Sequence, residues 1–447
     1  MIEKKIVLPE TVNRIIDTIT KAGYEAYAVG GCIRDLLLGK EPGDYDITTQ
    51  ASPQTIKTLF RRTVDTGIEH GTVTVMIGNT GYEITTYRID GKYEDSRHPS
   101  EVTFTRSLTE DLLRRDFTIN AMAYSEQDGL KDPFDGLSDL KKGIIKCVGD
   151  PVQRFNEDAL RIMRAVRFSA QLGYDIDTPT LLAMKELAGN LALISEERIQ
   201  TELVKTLCSD NPDRIRTAYE TGITKTILPE FDDMMECPQN NPHHCYNVGE
   251  HTIKTVLNIE NDRYLRLGAF FHDIGKPQVK VTDEDGIDHF HGHPEVSERM
   301  TGDILRRLKF DNNTIRTVSK LAGYHDYYVE PTRTGVRRAM NRIGEDLFPM
   351  VLKIKLADIS AQSMYKREEK LNKLRILNDL YEEVVKNSEC VSLKNLAIGG
   401  RELEIAGIKP GPLMGQILNE LLAAVIDDPS LNNRESLIKL VKDRYSQ

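Results

Sequence analysis

The sequence predicts an α+β protein, with a mixed α/β domain first and an all-helical remainder after it. Three observations carry this. Short runs rich in Val, Ile, Thr and Tyr and bounded by glycine recur at 24–29, 45–49, 72–77 and 82–87, which is the pattern of β-strands. From about Phe155 the apolar residues change to a 3.6-residue period, as in Ala159, Leu160, Ile162, Met163, Val166 and Phe168, and again in Leu181, Leu182, Met184 and Leu187. The chain of 447 residues, 39% hydrophobic and 29% charged, has the composition of a folded globular protein and is too long for one core.

Punctuation along the chain predicts four parts: 1–150, 151–235, 236–365 and 366–447. A Pro-, Asn- and His-rich stretch at 236–250 separates two helical blocks, and a charged helix at 366–385 opens the last part. That part then runs through Gly399-Gly400 and Lys409-Pro410-Gly411-Pro412, a turn before another helix. No run of about 18 apolar residues exists, and the first residues lack a leader pattern, so a cytoplasmic protein without a membrane partner is expected. Six scattered cysteines predict reduced thiols. The net charge of −10 argues against a nucleic-acid partner in sum. Basic clusters at Arg161/Arg164/Arg167, Arg306/Arg307/Lys309, Arg333/Arg337/Arg338/Arg342 and Lys366/Arg367/Lys370/Lys373/Arg375 leave room for a basic stripe on an acidic body.

Asp44 and Asp46 stand two apart where a strand is expected, and period two would put both carboxylates on one face. Such a pair suits hard divalent cations, Mg²⁺ above all, that activate a hydroxyl and stabilise a departing pyrophosphate. Upstream, Val29-Gly30-Gly31-Cys32-Ile33-Arg34-Asp35 reads as strand, glycine turn and helix with an early arginine, which aims backbone N–H groups and a cation at phosphate.

Gly30-Gly31-x-x-Arg34-Asp35, Leu38-Gly39 and Asp44-x-Asp46 together resemble the first motif of the polymerase-beta-type nucleotidyltransferases, and more narrowly that of bacterial (class II) CCA-adding enzymes and their poly(A) polymerase relatives. The resemblance implies a head domain of that type followed by an all-α neck, an HD body and a helical tail that holds tRNA. It further implies catalytic metals at Asp44 and Asp46, with Glu83 on a neighbouring strand as third carboxylate. Leu113–Ala121 is similar to the segment that holds ribose and phosphates, with Arg115, Asp116 and Asn120 as the contacts. Asp158 and Arg161, expected on one helix face at i, i+3, resemble the side chains that present donors and acceptors to the incoming base, with Arg164 and Arg167 reaching phosphate. A polar loop at 90–99 is similar to the one that helps such enzymes switch from C to A, although Arg97-His98 stands where two arginines are usual. The implied function is addition of C and A from CTP and ATP to the 3′ end of tRNA; A-only addition or poly(A) synthesis is the nearest alternative.

His272-Asp273 follows an apolar helix, where an adjacent His-Asp is unusual as core and suits a metal. With His251 upstream and Asp358 downstream it resembles the HD phosphohydrolase superfamily, and His293 and His325 resemble the extra ligands of two-metal members. The ligand set does not choose the metal. A rival of another class follows, a phosphoester hydrolase whose N-terminal domain only binds RNA. Cys237, His243, His244 and Cys245 have no usual zinc spacing.

Overall fold

The computed structural model describes residues 6–91 and 102–445, and the chain divides into two compact units, 1–229 and 230–447. The first opens with helix α1 (Glu10–Lys21), whose Val12, Ile15 and Ile19 are buried. Then come β1 (Ala26–Val29), α2 (Gly31–Leu37), β2 (Asp46–Thr49), α3 (Pro53–Leu59), β3 (Thr63–Gly67), β4 (Thr72–Ile77) and β5 (Thr80–Thr86). A separate pair, β6 (Arg88–Asp90) with β7 (Val102–Phe104), leads to α4 (Leu108–Leu113), β8 (Ala123–Ser125) and β9 (Gly129–Lys131).

Seven strands form one sheet in the order β3-β4-β5-β2-β1-β8-β9. Every pairing in it is antiparallel except β2 with β5, where Ile47 faces Ile84 and Thr48 faces Thr85. One step back in this register Asp46 and Glu83 are neighbours on the same face. The inner strand β1 is buried along its whole length, which fixes the register around it.

After α5 (Gly136–Lys142) and β10 (Ile144–Ile145), the unit continues as α6 (Pro151–Glu157), α7 (Leu160–Leu172), β11 (Asp175–Ile176), α8 (Thr178–Leu187) and α9 (Glu196–Leu207). Cap residues followed by proline set several starts. Ser52, Asp150 and Asp177 each accept an N–H three residues on, with Pro53 and Pro151 at the first helical position and Pro179 at the second. Short helices α10 (Ile215–Glu220), α11 (Ile223–Ile227) and α12 (Pro229–Met235) carry the chain into the second unit.

That unit is helical apart from one small hairpin. Its first bundle comprises α13 (Val248–Leu257), α14 (Arg263–Phe271), α15 (Lys276–Val279), α16 (His293–Arg307), α17 (Asn312–Tyr324), α18 (Arg333–Ile343) and α19 (Phe348–Ala361). The hairpin β12 (Val281–Thr282) and β13 (Asp288–His289) precedes α16. Leu267, Phe270 and Phe271 of α14 are fully buried, and Phe270 stacks on Phe231 at 5.1 Å. Helices α20 (Arg367–Lys386), α21 (Gly400–Ile405), α22 (Pro412–Asp427) and α23 (Arg434–Tyr445) follow, and the last three share a core of Leu403, Ile417, Leu421, Val425 and Leu437. Among the described residues no helix is long and apolar enough to cross a membrane. All six cysteines are free.

Candidate active site

Strand β2 begins at Asp46 and not, as the alternation predicts, near Asp44, which lies in the loop ahead of it. The loop nonetheless keeps the two carboxylates close in effect. Asp46 is open to solvent yet crowded by protein, as in a concavity. That burial, with the charges of Asp44 and Glu83, raises its pKa, while Arg115 acts against the rise. Asp44 from the loop and Glu83 from the parallel neighbour of β2 therefore stand within electrostatic reach of Asp46, more loosely gathered than the ligand atoms of the second unit's cluster. Like charges held together this way are unfavourable alone and suit divalent cations, so the residues present fit the metals that the motif implies.

Above the end of β1 the chain turns at Gly30, whose φ of +86° is one L side chains rarely adopt. A Cβ there would also stand 2.8 Å from Arg115 Nη1. The turn so lets Arg115 approach the backbone, and the buried Nε of Arg115 has no hydrogen-bond partner. Gly31 begins α2, which places Arg34 in the first turns of the helix. Arg34 pairs with Asp35 at 2.8 Å and donates to Asn120 Oδ1 at 2.7 Å. The Asn120 amide donates to Asp116 at 3.2 Å, and Asp116 accepts from the Phe117 N–H at 2.8 Å and from Arg164 Nε at 2.8 Å. Burial alone would raise the Asp116 pKa, but Arg164, Asn120 and the Phe117 N–H hold its carboxyl well below the usual range. A continuous chain of charge-assisted bonds thus runs from the glycine turn to α7.

Asp158 and Arg161 do not share a helix face. Asp158 is extended, with φ −142° and ψ 101°, and ends α6; its side chain accepts the Leu160 N–H at 3.1 Å and so caps the start of α7. Asp158 pairs with Arg198 of α9 at 2.8 Å. Arg161 is buried and donates to Glu157 and the Arg114 carbonyl, each at 2.7 Å, and to the Arg154 carbonyl at 3.0 Å. A cap competes with helix continuation for the same side chain, which is why i, i+3 spacing misleads here. Arg167 forms an ion pair with Glu202 of α9 at 2.8 Å, without hydrogen-bond geometry.

The second unit encloses a cleft of about 520 Å³ lined by residues that include Asp273, Lys276, His293, His325, Asp358 and Lys370. Gly275 lets the start of α16 pack close against the turn after Asp273, because a Cβ there would lie 2.7 Å from the Ser297 backbone nitrogen and 2.8 Å from the His293 carbonyl oxygen. All six predicted ligands converge. His251 Nε2 lies 2.9 Å from Asp358 and 3.7 Å from Asp273; His272, His293 and His325 approach Asp273 at 3.2, 3.4 and 3.5 Å. Two overlapping groups, His251/His272/Asp273 and Asp273/His293/His325, could each hold an ion. Buried His272 Nε2 makes no hydrogen bond and lies 3.2 Å from Asp273 Oδ2, an oxygen that Lys276 Nζ pairs with at 2.7 Å, so a bound metal would share Asp273 with this ammonium or displace it. His272 and His325 each donate their Nδ1–H to a backbone carbonyl, of Ala269 and Ala322, at 2.7 Å, which orients Nε2 inward. Burial pushes His244, beside the cluster, down to about 3.

Comparison with known proteins agrees along the chain. The family described as "Poly A polymerase head domain" matches residues 26–146, "Probable RNA and SrmB- binding site of polymerase A" matches 173–235, and "tRNA nucleotidyltransferase domain 2" matches 284–441. A CCA-adding enzyme of Limosilactobacillus reuteri is 38% identical over 445 residues, covering 97% of this chain and 96% of the relative. The chain belongs to the CCA-adding enzyme and poly(A) polymerase family. A CCA-adding enzyme of Levilactobacillus brevis is 37% identical over 97% of this chain and 98% of its own. The crystal structure of the Bacillus stearothermophilus CCA-adding enzyme in complex with CTP superposes with a TM-score of 0.73 at 27% identity, covering 98% of both chains. The fold is also that of the Thermotoga maritima CCA-adding enzyme complexed with tRNA, with a TM-score of 0.59 at 21% identity and 98% of this chain covered.

Membership makes the chain a nucleotidyltransferase, an enzyme class that works with divalent metals, and the α+β expectation of a nucleotidyltransferase head followed by helices holds. Two local expectations change, the strand position of Asp44 and the shared helix face of Asp158 and Arg161. The loop motif at 92–99 lies outside the described residues. Sequence reasoning missed Arg198 and Glu202, which sit four apart on α9 and hold Asp158 and Arg167. A signal existed: Glu202 falls among the buried Ile199 and Leu203, where a lone charge requires a partner.

Proposed function

We propose that this family member rebuilds the 3′ end of tRNA, adding C and A from CTP and ATP without a nucleic-acid template, in the cytoplasm. The placing of Asp44 and Glu83 within electrostatic reach of Asp46, beside the Gly30 turn and Arg115, carries the reading. These three carboxylates would hold divalent cations, Mg²⁺ by the chemistry of the donors, which supply activation of the terminal ribose hydroxyl and charge neutralisation at the pyrophosphate. The chain's own residues do the rest. Gly30, Gly31, Arg34 and Arg115 cradle the triphosphate, Asp116 and Asn120 orient the ribose side, and Arg164 and Arg167 extend the positive wall. Asp158 and Arg161 would present acceptor and donor to the base by exchanging their present partners, Arg198 for the one and Glu157 for the other, so that C and A are satisfied and G and U are not. In this reading 1–150 is the catalytic head, 151–235 the selecting neck, 236–365 the body and 366–447 the tRNA-holding tail.

Purified protein given tRNA ending at the discriminator base, tRNA ending in CC, and generic RNA tests the product: CCA on the first and A on the second are expected. Long adenosine tails on any RNA would instead make it a poly(A) polymerase. Asp46→Ala removes incorporation and leaves tRNA binding near normal; incorporation that survives the change refutes this catalytic centre.

The converging cluster in the second unit favours a further reading as an HD-type metal site with phosphoester hydrolase activity. His251, His272, Asp273 and Asp358, with His293 and His325, would hold a divalent metal that activates water for hydrolysis. Metal analysis of wild type and His272→Ala, beside hydrolysis of a chromogenic phosphodiester, checks it; equal metal content in both proteins excludes the site.

A further inference from the structure

Three guanidinium groups surround one buried ring. Arg167, Arg34 and Arg164 place their central carbons 4.1, 5.2 and 5.4 Å from the centroid of Phe168, a side chain only 6% exposed. The other cation-ring contacts among the described residues involve one cation each. The arginines come from two places in the sequence, α2 after the glycine turn and α7. Each also has its own carboxylate, Asp35, Asp116 or Glu202. A carboxylate fixes a guanidinium by one edge and leaves it free to rotate about that edge, whereas a ring restricts the plane through its electron-rich face. Phe168 is itself held by Phe117, whose ring meets it edge-on at 5.7 Å and 80°, and Phe117 is the residue whose N–H binds Asp116.

We infer that Phe168 is a positioning residue for nucleotidyl transfer: its ring sets the planes of Arg34, Arg164 and Arg167 together, so that the three present their remaining N–H groups to one polyanion, the nucleotide triphosphate. The inference rests on the assignment of these arginines to the triphosphate made above. An apolar core residue could fill the same space, but a leucine has no electron-rich face to hold three like charges side by side. The ring therefore links the glycine turn to α7 through electrostatics as well as packing.

The test keeps shape and removes charge attraction. Mono-, di- and trifluorinated phenylalanines installed at position 168 in the full-length protein retain the ring while progressively weakening its quadrupole. Competitive inhibition by inorganic tripolyphosphate reports triphosphate binding alone, and KM for CTP and ATP reports it in the reaction. Both constants are expected to rise stepwise, reaching about 10-fold at the third fluorine, with KM for tRNA unchanged. Phe168→Leu should reach the same loss at once, and Phe168→Tyr should retain most of the binding. A flat fluorination series overturns the role of the ring, whether or not Phe168→Leu folds. Arg34→Gln separates the two layers. If it leaves tripolyphosphate inhibition unchanged, the assignment of the arginines to the triphosphate fails; if it weakens inhibition while the fluorinated series stays flat, only the role of Phe168 fails.

Discussion

Arg161 and Asp158 are held by different partners, and this separates what each contributes. Arg161 spans Glu157 and two backbone carbonyls, so Arg161→Ala leaves buried acceptors unsatisfied and should cost about 1–3 kcal/mol of stability as well as about 1–3 kcal/mol of base discrimination. Arg198→Ala touches only the support of Asp158. It should relax base choice with less loss of stability, read by competition among the four nucleotides on one tRNA beside a urea melt. An unchanged C and A preference in both variants would return Asp158 and Arg161 to a structural role. Asp116 makes a pH prediction. Its folded-state pKa lies below that of the unfolded chain, so the fold favours the charged form. The resulting stabilisation is complete above about pH 5 and is lost progressively as pH falls below about 4. Asp116→Asn should therefore be less stable than wild type at pH 7, and the gap should narrow at pH 3; a gap that does not vary with pH contradicts the depressed pKa.

At the scale of elements, the turn between β1 and α2 is the most demanding piece of backbone. Gly30→Ala combines a backbone region open essentially to glycine alone with a contact against Arg115, and about 1–3 kcal/mol of destabilisation follows from the backbone alone. Displacing Arg115 should further weaken CTP and ATP binding, so a variant with lower melting temperature but unchanged nucleotide KM would show that Arg115 does not serve the triphosphate. Much at this scale was legible in the sequence. Strand β4 occupies the predicted 72–77, because alternation with Val73 and Val75 inward is a local signal. The starts of α3 and α6 are written as Ser52-Pro53 and Asp150-Pro151. The break at Asp158 was not legible, since an aspartate fits both a helix and a cap and only the Arg198 contact decides between them. The support from α9 left one trace, the charge of Glu202 among the buried Ile199 and Leu203, because pairing across forty residues has no period of its own.

Across the whole molecule, the basic clusters that suggested a nucleic-acid stripe are substantially paired within the chain. Arg306 meets Asp303, Arg307 meets Glu230, Arg333 and Arg337 meet Glu389, Arg338 meets Asp427 and Lys373 meets Glu369. Six of the twelve cations in these three clusters are thus engaged by carboxylates. Raising salt from 50 to 200 mM should therefore weaken tRNA binding by no more than roughly 10³-fold, the loss expected of about six phosphate contacts; a steeper loss would mean that these pairs open on binding. The two compact units give a further expectation. If the cluster around Asp273 holds a metal, a chelator should lower the melting of the 230–447 unit and leave the 1–229 unit near its original temperature, resolved by hydrogen exchange of each during heating. Unchanged melting of the 230–447 unit would argue against a resident ion in the cleft.

The single parallel pairing of the sheet sets when the enzyme becomes competent as it folds. The pairs β3-β4, β4-β5 and β8-β9 can zip from hairpins, whereas β1 meets β8 across 94 residues and β2 and β5 run the same way, so that α3, β3 and β4 must be laid down before Ile47 can meet Ile84. Glu83 consequently reaches Asp46 only through a contact between residues 37 apart, one whose loop-closure entropy is met late. A nascent chain that has made Asp44 and Asp46 holds a pair of carboxylates and no third. Catalytic competence thus arrives with closure of the sheet, and amide protection at Ile47 and Ile84 should appear in the same kinetic phase as nucleotide incorporation during refolding.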